Sequence, residues 1–471
     1  MIPDPAFEPR IVNPVRFSRA VIFAGDESVR GAADSLAESM PWTKVEIGRD
    51  PFSLGSGRGA GATVLIFDDT GLIVSEIGRS RNGETDNVAV LLSFNDFIQG
   101  SPPAAASARY PYAAKADLVF AVDRAEVPPA SIIGPAARAA EDLLNIRKYA
   151  RARRFIILIV DDEPRWFSQF LPVLYGIIGQ RADVLLARTF EEALTALFGV
   201  TRAGEIDPAR FRERGRGDDV IGLITDLFFP KGNAPSGPAG RELIGLVRKY
   251  YPRIPIIVAS KDRSAEELKD RAFVLPKGNP DSARMLREFL LDRMGMGDFT
   301  AAGPGPDEAI RVRDIRQLNG ILLEAAGDTK RGAALRRILE SAAERDAFST
   351  WFYMHGFRRL GDVLRPRQDR GFNMVRELLS EIEKELAVVE TTPLVIEGER
   401  VFTLAELSAV LRRAEPGRIQ ALSDRDVFST WLERKGYPEL ADELRPIHGS
   451  GERLRETLSR TIEDWIRTHG I

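Results

Sequence analysis

Cysteine is absent from the 471 residues, and histidine occurs only as His355, His448 and His469. The first absence excludes disulfides, thiolate metal sites and cysteine nucleophiles. The second places every imidazole in the C-terminal third, which argues against a histidine-rich metal centre or a Ser-His-Asp triad in the rest of the chain. Charge of one sign is lacking too: 66 Lys and Arg stand against 69 Asp and Glu, a formal net charge of −3. That balance gives no overall case for nucleic acid or an anionic membrane surface as partner. No apolar run approaches the ~20 residues of a membrane span. The opening MIPDPAFEPR lacks the basic-then-apolar order of a signal peptide. The expectation is a cytoplasmic protein with no membrane contact.

What remains is ordinary globular composition, 44% hydrophobic and 29% charged. The length exceeds a single core and suggests roughly three domains. One stretch organises the rest, FIILIVDD at 155–162. A short unbroken apolar run reads as a strand buried on both faces of a parallel sheet. Open α/β sheets bind ligands at the carboxyl ends of their strands. A second such strand, VIGLITD, ends in Asp226. If the two are neighbours, Asp161, Asp162 and Asp226 converge on one acidic pocket, and oxygen ligands that close suit a hard cation such as Mg²⁺.

From about 154 to 297 strand and helix alternate five times. Strands are expected at 155–160, 184–187, 220–225, 255–259 and 272–275, and helices near 165–178, 190–198, 239–251, 264–270 and 281–294. Five βα units in this order predict a doubly wound parallel sheet. The polar stretch 201–219 reads as a long solvated insertion.

Upstream, residues 1–134 read as a degenerate α/β module, a scaffold rather than a seat of chemistry. Its candidate strands are 20–25, 62–69, 72–78, 88–94 and 117–123, with a helix from Ser28 to Glu38 capped by Ser28. The run GSGRGAG (55–61) precedes a strand instead of opening a helix, so it reads as a flexible loop in preference to a phosphate cradle. Asp68 and Asp69 end a strand, without a later Ser/Thr and Lys in matching positions. Residues 101–114 form a Pro/Ala-rich loop, and a helix over 135–153, begun by Pro135, connects this module to the next.

After the linker-like 300–308 the pattern turns all-α and repeats itself. ERDAFSTWFYMHGFRRLGDVLRP (344–366) matches DRDVFSTWLERKGYPELADELRP (424–446) without gaps. Similarity extends upstream (312–322 with 402–412) and to following helices (374–387 and 452–468), giving repeats over 309–390 and 391–471. Phe348/Trp351 and Phe428/Trp431 share one helix face by spacing. They read as each repeat's core, with an exposed docking face as the other reading.

The second module, 154–299, resembles the receiver domain of two-component response regulators, a flavodoxin-like fold. Asp161 and Asp162 match the acidic pair and Asp226 the phosphoacceptor. Ser260 stands where a Thr or Ser belongs, Lys277 where the invariant Lys belongs, and Pro230 and Gly240 at the family's loop positions. The resemblance implies a phosphoprotein of a phosphorelay. Asp226 would be the acceptor, Mg²⁺ would be held by Asp161, Asp162 and Asp226, and Ser260 and Lys277 would sense the phosphate. It also implies a histidine kinase or other phosphoryl donor as partner, a downstream protein partner, and no independent enzyme activity. The chain departs from the family at Lys261, where a small residue is usual, and at Gly278, where proline is usual. Val274 takes the aromatic switch position, with Phe273 one place off, and the loop after Asp226 is long. The alternative is a pseudo-receiver, an adaptor that works without phosphorylation. A looser similarity links 164–178, 223–230, 286–299 and the FSTW repeats to receiver-like segments that accompany PEP synthase-like PEP/pyruvate-binding proteins, a hint about partners and pathway. Haloacid-dehalogenase-like phosphatases, the enzyme alternative, carry DxD at the first strand, where this chain has DDE (161–163).

Overall fold

The computed structural model describes residues 16–40, 43–48, 62–68, 87–94, 116–124, 126–148, 155–178, 182–200, 206–208, 215–232, 234–252, 254–301, 309–344, 347–355, 357–364, 370–423, 427–444, 447 and 451–470. The glycine-rich run 55–61, the expected strand 72–78, Asp69, the loop 101–114 and His448 lie outside them, as does most of the insertion 201–219. The chain divides into two compact units, Pro14–Leu286 and one built on Arg287–Ile471.

The first unit holds two α/β modules. In the first, β1 (Phe17–Phe23), β2 (Lys44–Ile47), β3 (Ala62–Asp68), β4 (Asn87–Ser93) and β5 (Leu118–Ala121) form one parallel sheet in the order β2-β1-β3-β4-β5. The central strands are buried along almost their whole length, the continuous apolar pattern of a sheet covered on both faces. The expected single helix is two short ones, α1 (Glu27–Gly31) and α2 (Ala33–Ser39). The cap is Asp26, not Ser28: in extended backbone, its carboxylate accepts the Ser28 N–H. The edge strand β2, short and partly exposed, has too little hydrophobic signal to be read from sequence.

The expected connecting helix is longer at its start and belongs to this module. α3 runs Pro129–Lys148, so Pro129 opens it and Pro135 lies inside.

In the second module, β6 (Phe155–Val160), β7 (Ala182–Ala187), β8 (Val220–Thr225), β11 (Ile256–Ser260) and β12 (Phe273–Pro276) form a parallel sheet in the order β7-β6-β8-β11-β12. Its helices are α4 (Pro164–Ile178), α5 (Phe190–Phe198), α6 (Ala239–Tyr250) and α7 (Ser282–Glu288). The expected helix near 264–270 is a 3₁₀ turn, Arg263–Leu268, and a π-turn over Phe289–Arg293 continues α7. The long loop after Asp226 folds into an antiparallel hairpin, β9 (Phe229–Lys231) and β10 (Ala234–Gly237). The doubly wound parallel sheet expected from the βα alternation is present, and the first module has the same 2-1-3-4-5 strand order.

The two modules cap each other's sheet edges. A terminal strand presents unpaired N–H groups that need partners. Ala121 of β5 donates to Ser168 Oγ on α4 (3.1 Å), and Val184 of β7 donates to Asp142 Oδ2 on α3 (2.9 Å). Asp142 also accepts from Tyr175 Oη (2.7 Å) and Arg138 Nε (3.3 Å), all within a buried contact. Burial disfavours the Tyr175 phenolate and holds the phenol well above its usual pKa, so it stays a donor to Asp142.

The second unit is helical, but each repeat opens on a short antiparallel hairpin: β13 (Phe299–Ala301) with β14 (Ile310–Val312), and β15 (Leu394–Ile396) with β16 (Glu399–Val401). Repeat one continues through α8 (Ile315–Ala326), α9 (Lys330–Glu344), α10 (Ala347–Met354), α11 (Arg358–Val363) and α12 (Gly371–Thr391). Repeat two continues through α13 (Leu404–Leu411), α14 (Pro416–Ser423), α15 (Val427–Arg434), α16 (Pro438–Leu444) and α17 (Gly451–His469). Each repeat has its own apolar core. Between the cores lie polar contacts: His355 Nδ1 is 2.6 Å from Glu433 Oε1, and Arg434 faces Glu385. Among the described residues no helix is long and apolar enough to cross a membrane.

Candidate functional site

The backbone of the second module continues its ladder one step beyond the strands and so fixes three strand-end residues. Asp161 N–H donates to Ala187 O (3.0 Å), Asp226 N–H to Val160 O (2.9 Å) and Lys277 N–H to Ser260 O (3.1 Å). Asp161 and Asp226 thus leave neighbouring strands side by side, at the point where the strand order reverses, the crevice that doubly wound sheets use for ligands. Gly240, at the start of α6, packs on the backbone of Asp226: a Cβ there would come within 2.2 Å of the Asp226 carbonyl oxygen. Glycine permits that approach and lets the helix start pack on the Asp226 backbone.

The side chains meet. Lys277 Nζ lies 2.5 Å from Asp226 Oδ2 and 2.7 Å from Asp161 Oδ2. The remaining oxygens are held by the backbone, Asp161 Oδ1 by Glu163 N–H (3.0 Å) and Asp226 Oδ1 by Leu227 N–H (2.6 Å). Ser260 is buried at the end of β11 and accepts the Asp262 N–H. The Lys261 ammonium lies 4.2 Å from the centroid of the Trp166 ring, which also stands 5.7 Å from Lys277 Nζ. Trp166 is held by a 2.7 Å hydrogen bond to Glu163.

Electrostatics shows which force wins. Lys277 attracts the charged form of Asp161, yet burial and the nearby Asp226 charge outweigh it, and the Asp161 carboxyl is pushed up to about 7. Burial likewise raises Asp162 to about 6. The ammonium of Lys277, itself buried, is held above its usual range by the two carboxylates. One cation is too little for three acids in this crevice.

The expected three-acid metal set is not assembled as such: among the described residues no group of three or more acidic or imidazole side chains is arranged to hold a metal ion. The Lys277 ammonium stands between Asp161 and Asp226, with Asp162 half-buried beside them. The donor chemistry nevertheless fits a hard cation, since all the donors are carboxylate oxygens and the raised carboxyls mark a deficit of positive charge.

The first module carries a second strand-end cluster that sequence reading missed. Asp68 ends β3 as Asp226 follows β8, Ser93 ends β4 as Ser260 ends β11, and Arg124 follows β5 as Lys277 follows β12. Asp26 N–H donates to Asp68 Oδ2 (2.8 Å), and the Asp26 carboxylate pairs with Arg124. That pairing and the Ser28 bonds hold the Asp26 carboxyl down at about 2. A serine stands at the matching strand end, but no lysine follows β5; an arginine three residues past this four-residue strand takes its place.

The four repeat aromatics are core residues. Phe348, Trp351, Phe428 and Trp431 are 3%, 1%, 2% and 1% exposed, which corrects the docking reading: no face of these rings is left for a partner. Phe348 stacks on Phe299 of β13 (4.8 Å), a contact made possible by the unforeseen hairpin.

No protein-family model matches the chain, and no curated protein matches it. Among solved structures it is similar to the C-terminal domain of glucosamine-fructose-6-phosphate aminotransferase from Francisella tularensis. Identity is 10%, coverage is 57% of this chain and 81% of that one, and the TM-score is 0.20. A likeness that loose carries no argument here, and the receiver resemblance rests on the strand-end residues alone.

Proposed function

We propose that the chain is a receiver-like signalling protein in which Asp226 accepts a phosphoryl group and the change is passed on through protein contacts. The observation that carries this reading is the convergence of Lys277 on Asp226 and Asp161 at the switch point of a parallel sheet, with Ser260 at the next strand end. In the transfer, a carboxylate oxygen of Asp226 forms the new P–O bond. The donor's bond to phosphorus breaks, and its leaving oxygen or nitrogen keeps the electron pair. Asp161, Asp162 and Asp226 would hold Mg²⁺, which when bound neutralises phosphoryl oxygens and orients them for in-line attack. Lys277 supplies a point charge to the transferred group. The Ser260 hydroxyl, which now accepts the Asp262 N–H, is free to donate its proton to a phosphoryl oxygen. A histidine kinase or small acyl phosphate is the donor class, and the signal is the added charge.

The test is incubation with Mg²⁺ and acetyl phosphate, followed by mass measurement. An acid-stable, base-labile phosphate adduct is expected on the wild-type chain and absent from Asp226→Asn. No adduct, together with no binding of beryllofluoride, sinks the proposal. One observation favours the adaptor reading instead: Lys277 already bridges Asp161 and Asp226, and the neighbouring Lys261 lies over Trp166. In that reading the pocket is a closed structural knot and the modules bind partners constitutively.

A further inference from the structure

Four consecutive residues of α4 tie the strand-end site to the first module. Trp166 faces the site, with Lys261 and Lys277 over its ring. Phe167 packs edge-on against Phe120 of β5 (6.1 Å), Ser168 Oγ accepts the Ala121 N–H, and Gln169 donates to Glu126 (3.0 Å). Ser168 is buried, and its hydroxyl proton goes to the Pro164 carbonyl, so both its capacities are used in this one arrangement. Three residues beyond Ala121, Arg124 pairs with Asp26, whose N–H holds Asp68. The two strand-end clusters are therefore joined by packed and hydrogen-bonded groups up to Ala121 and by three further residues of chain to Arg124.

We infer that the first module is the intramolecular reader of the Asp226 site, with α4 as the connecting element and the Ser168–Ala121 bond as its contact. The inference rests on the proposed function, because it takes that site as the one whose state changes. A cation or phosphoryl group entering between Asp161 and Asp226 must displace the Lys277 ammonium from at least one of them. Trp166, on which two ammoniums lie, then loses or regains a charge at its face, and it sits in the first turn of α4. Interior packing passes on such a shift, because dense contacts leave no slack to absorb it. The reader's own cluster is suited to a fixed role: Asp68 and Asp26 are already paired by Arg124 and backbone, so the module receives the signal without carrying the modification.

Hydrogen exchange on the full chain tests this, with and without Mg²⁺ and beryllofluoride, in wild type, Ser168→Ala and Asp226→Asn. Binding is read separately from the fluorine NMR signal of bound beryllofluoride. The expected result is a several-fold change in exchange over 118–124 in the wild type, lost in Ser168→Ala while the bound fluorine signal persists, and absent with that signal in Asp226→Asn. A bound fluorine signal with unchanged exchange over 118–124 in the wild type overturns the inference and leaves the proposed function standing. A change that survives in Ser168→Ala overturns the Ser168 route. No bound signal in the wild type removes the proposed function, and the inference with it. The decisive comparison is within the wild-type protein, so a poorly folded variant cannot blur it.

Discussion

Lys277 places its ammonium 2.5 Å from Oδ2 of Asp226, closing the crevice with the charge that would also receive an incoming phosphoryl group. The same cation holds the buried acids now and, under the proposed function, would serve the transfer; the two roles separate on mutation. Lys277→Met leaves two buried acids without their counter-ion, and breaking a buried pair costs roughly 3–5 kcal/mol. That loss should appear in urea melts at pH 8 without divalent metal. It should shrink at pH 5, because Asp161, already raised to about 7, takes up a proton. Added Mg²⁺ should restore more stability to the variant than to the wild type. A loss equal at both pH values would contradict the electrostatic account.

The raised acids also fix the direction of the pH dependence. Asp162, lifted to about 6 by burial, binds its proton more tightly folded than unfolded. Its stabilising contribution is therefore full below about pH 4 and lost as pH rises through about 6, and Asp161 extends the loss through about 7. Asp162→Asn should raise the metal-free melting temperature at pH 8 and do little at pH 3.5. A two-unit shift corresponds to about 3 kcal/mol. Partial solvent screening of this half-buried group reduces the expected gain to roughly 1–2 kcal/mol. Scanning calorimetry across that pH range reads the effect directly.

Asp142 should matter out of proportion to its place in a connecting helix. It accepts Val184 N–H and Tyr175 Oη across the contact between the two modules, and Arg138 Nε from its own helix. Asp142→Ala takes the hydrogen-bonded carboxylate from a buried guanidinium and strands an edge-strand N–H, at a cost of roughly 3–5 kcal/mol. Calorimetry should then show the modules unfolding in two steps instead of one. Tyr175→Phe removes a single hydrogen bond and should cost only about 1 kcal/mol.

The second module was legible in the sequence because its signals are local. FIILIV is buried at every position, Asp161, Asp226 and Ser260 each follow or end such a run, and Lys277 follows the half-buried FVLP. What escaped notice depends on tertiary context. β2 is half-exposed and four residues long, so neither alternation nor length marks it. The repeat hairpins are strands of three residues whose apolar signal merges with that of the following helix. The Lys277 bridge could not be foreseen either: the motif implies a shared cation among the acids, whereas burial lets an ammonium from a fifth strand end reach the same oxygens. Asp142 lay in plain view, but nothing in a helical pattern tells that its carboxylate meets a strand from another module.

The repeats differ at one atom in a way that experiment can resolve. Trp351 Nε1 donates to Gly297 O (3.0 Å), a carbonyl shared with His355 Nε2 (3.1 Å), whereas Trp431 Nε1 finds no acceptor among the described residues. Both indoles are otherwise equally buried. Replacing either by alanine opens a large cavity and should cost roughly 3–5 kcal/mol. Replacing either by phenylalanine removes similar volume from each core, so the difference isolates the hydrogen bond. Trp351→Phe leaves a part-buried carbonyl with one donor fewer, while Trp431→Phe relieves an unpaired N–H. The first variant should therefore be the less stable by roughly 1–2 kcal/mol in urea melts. Equal losses would mean that Trp431 finds a partner, such as ordered water, that these protein contacts do not supply.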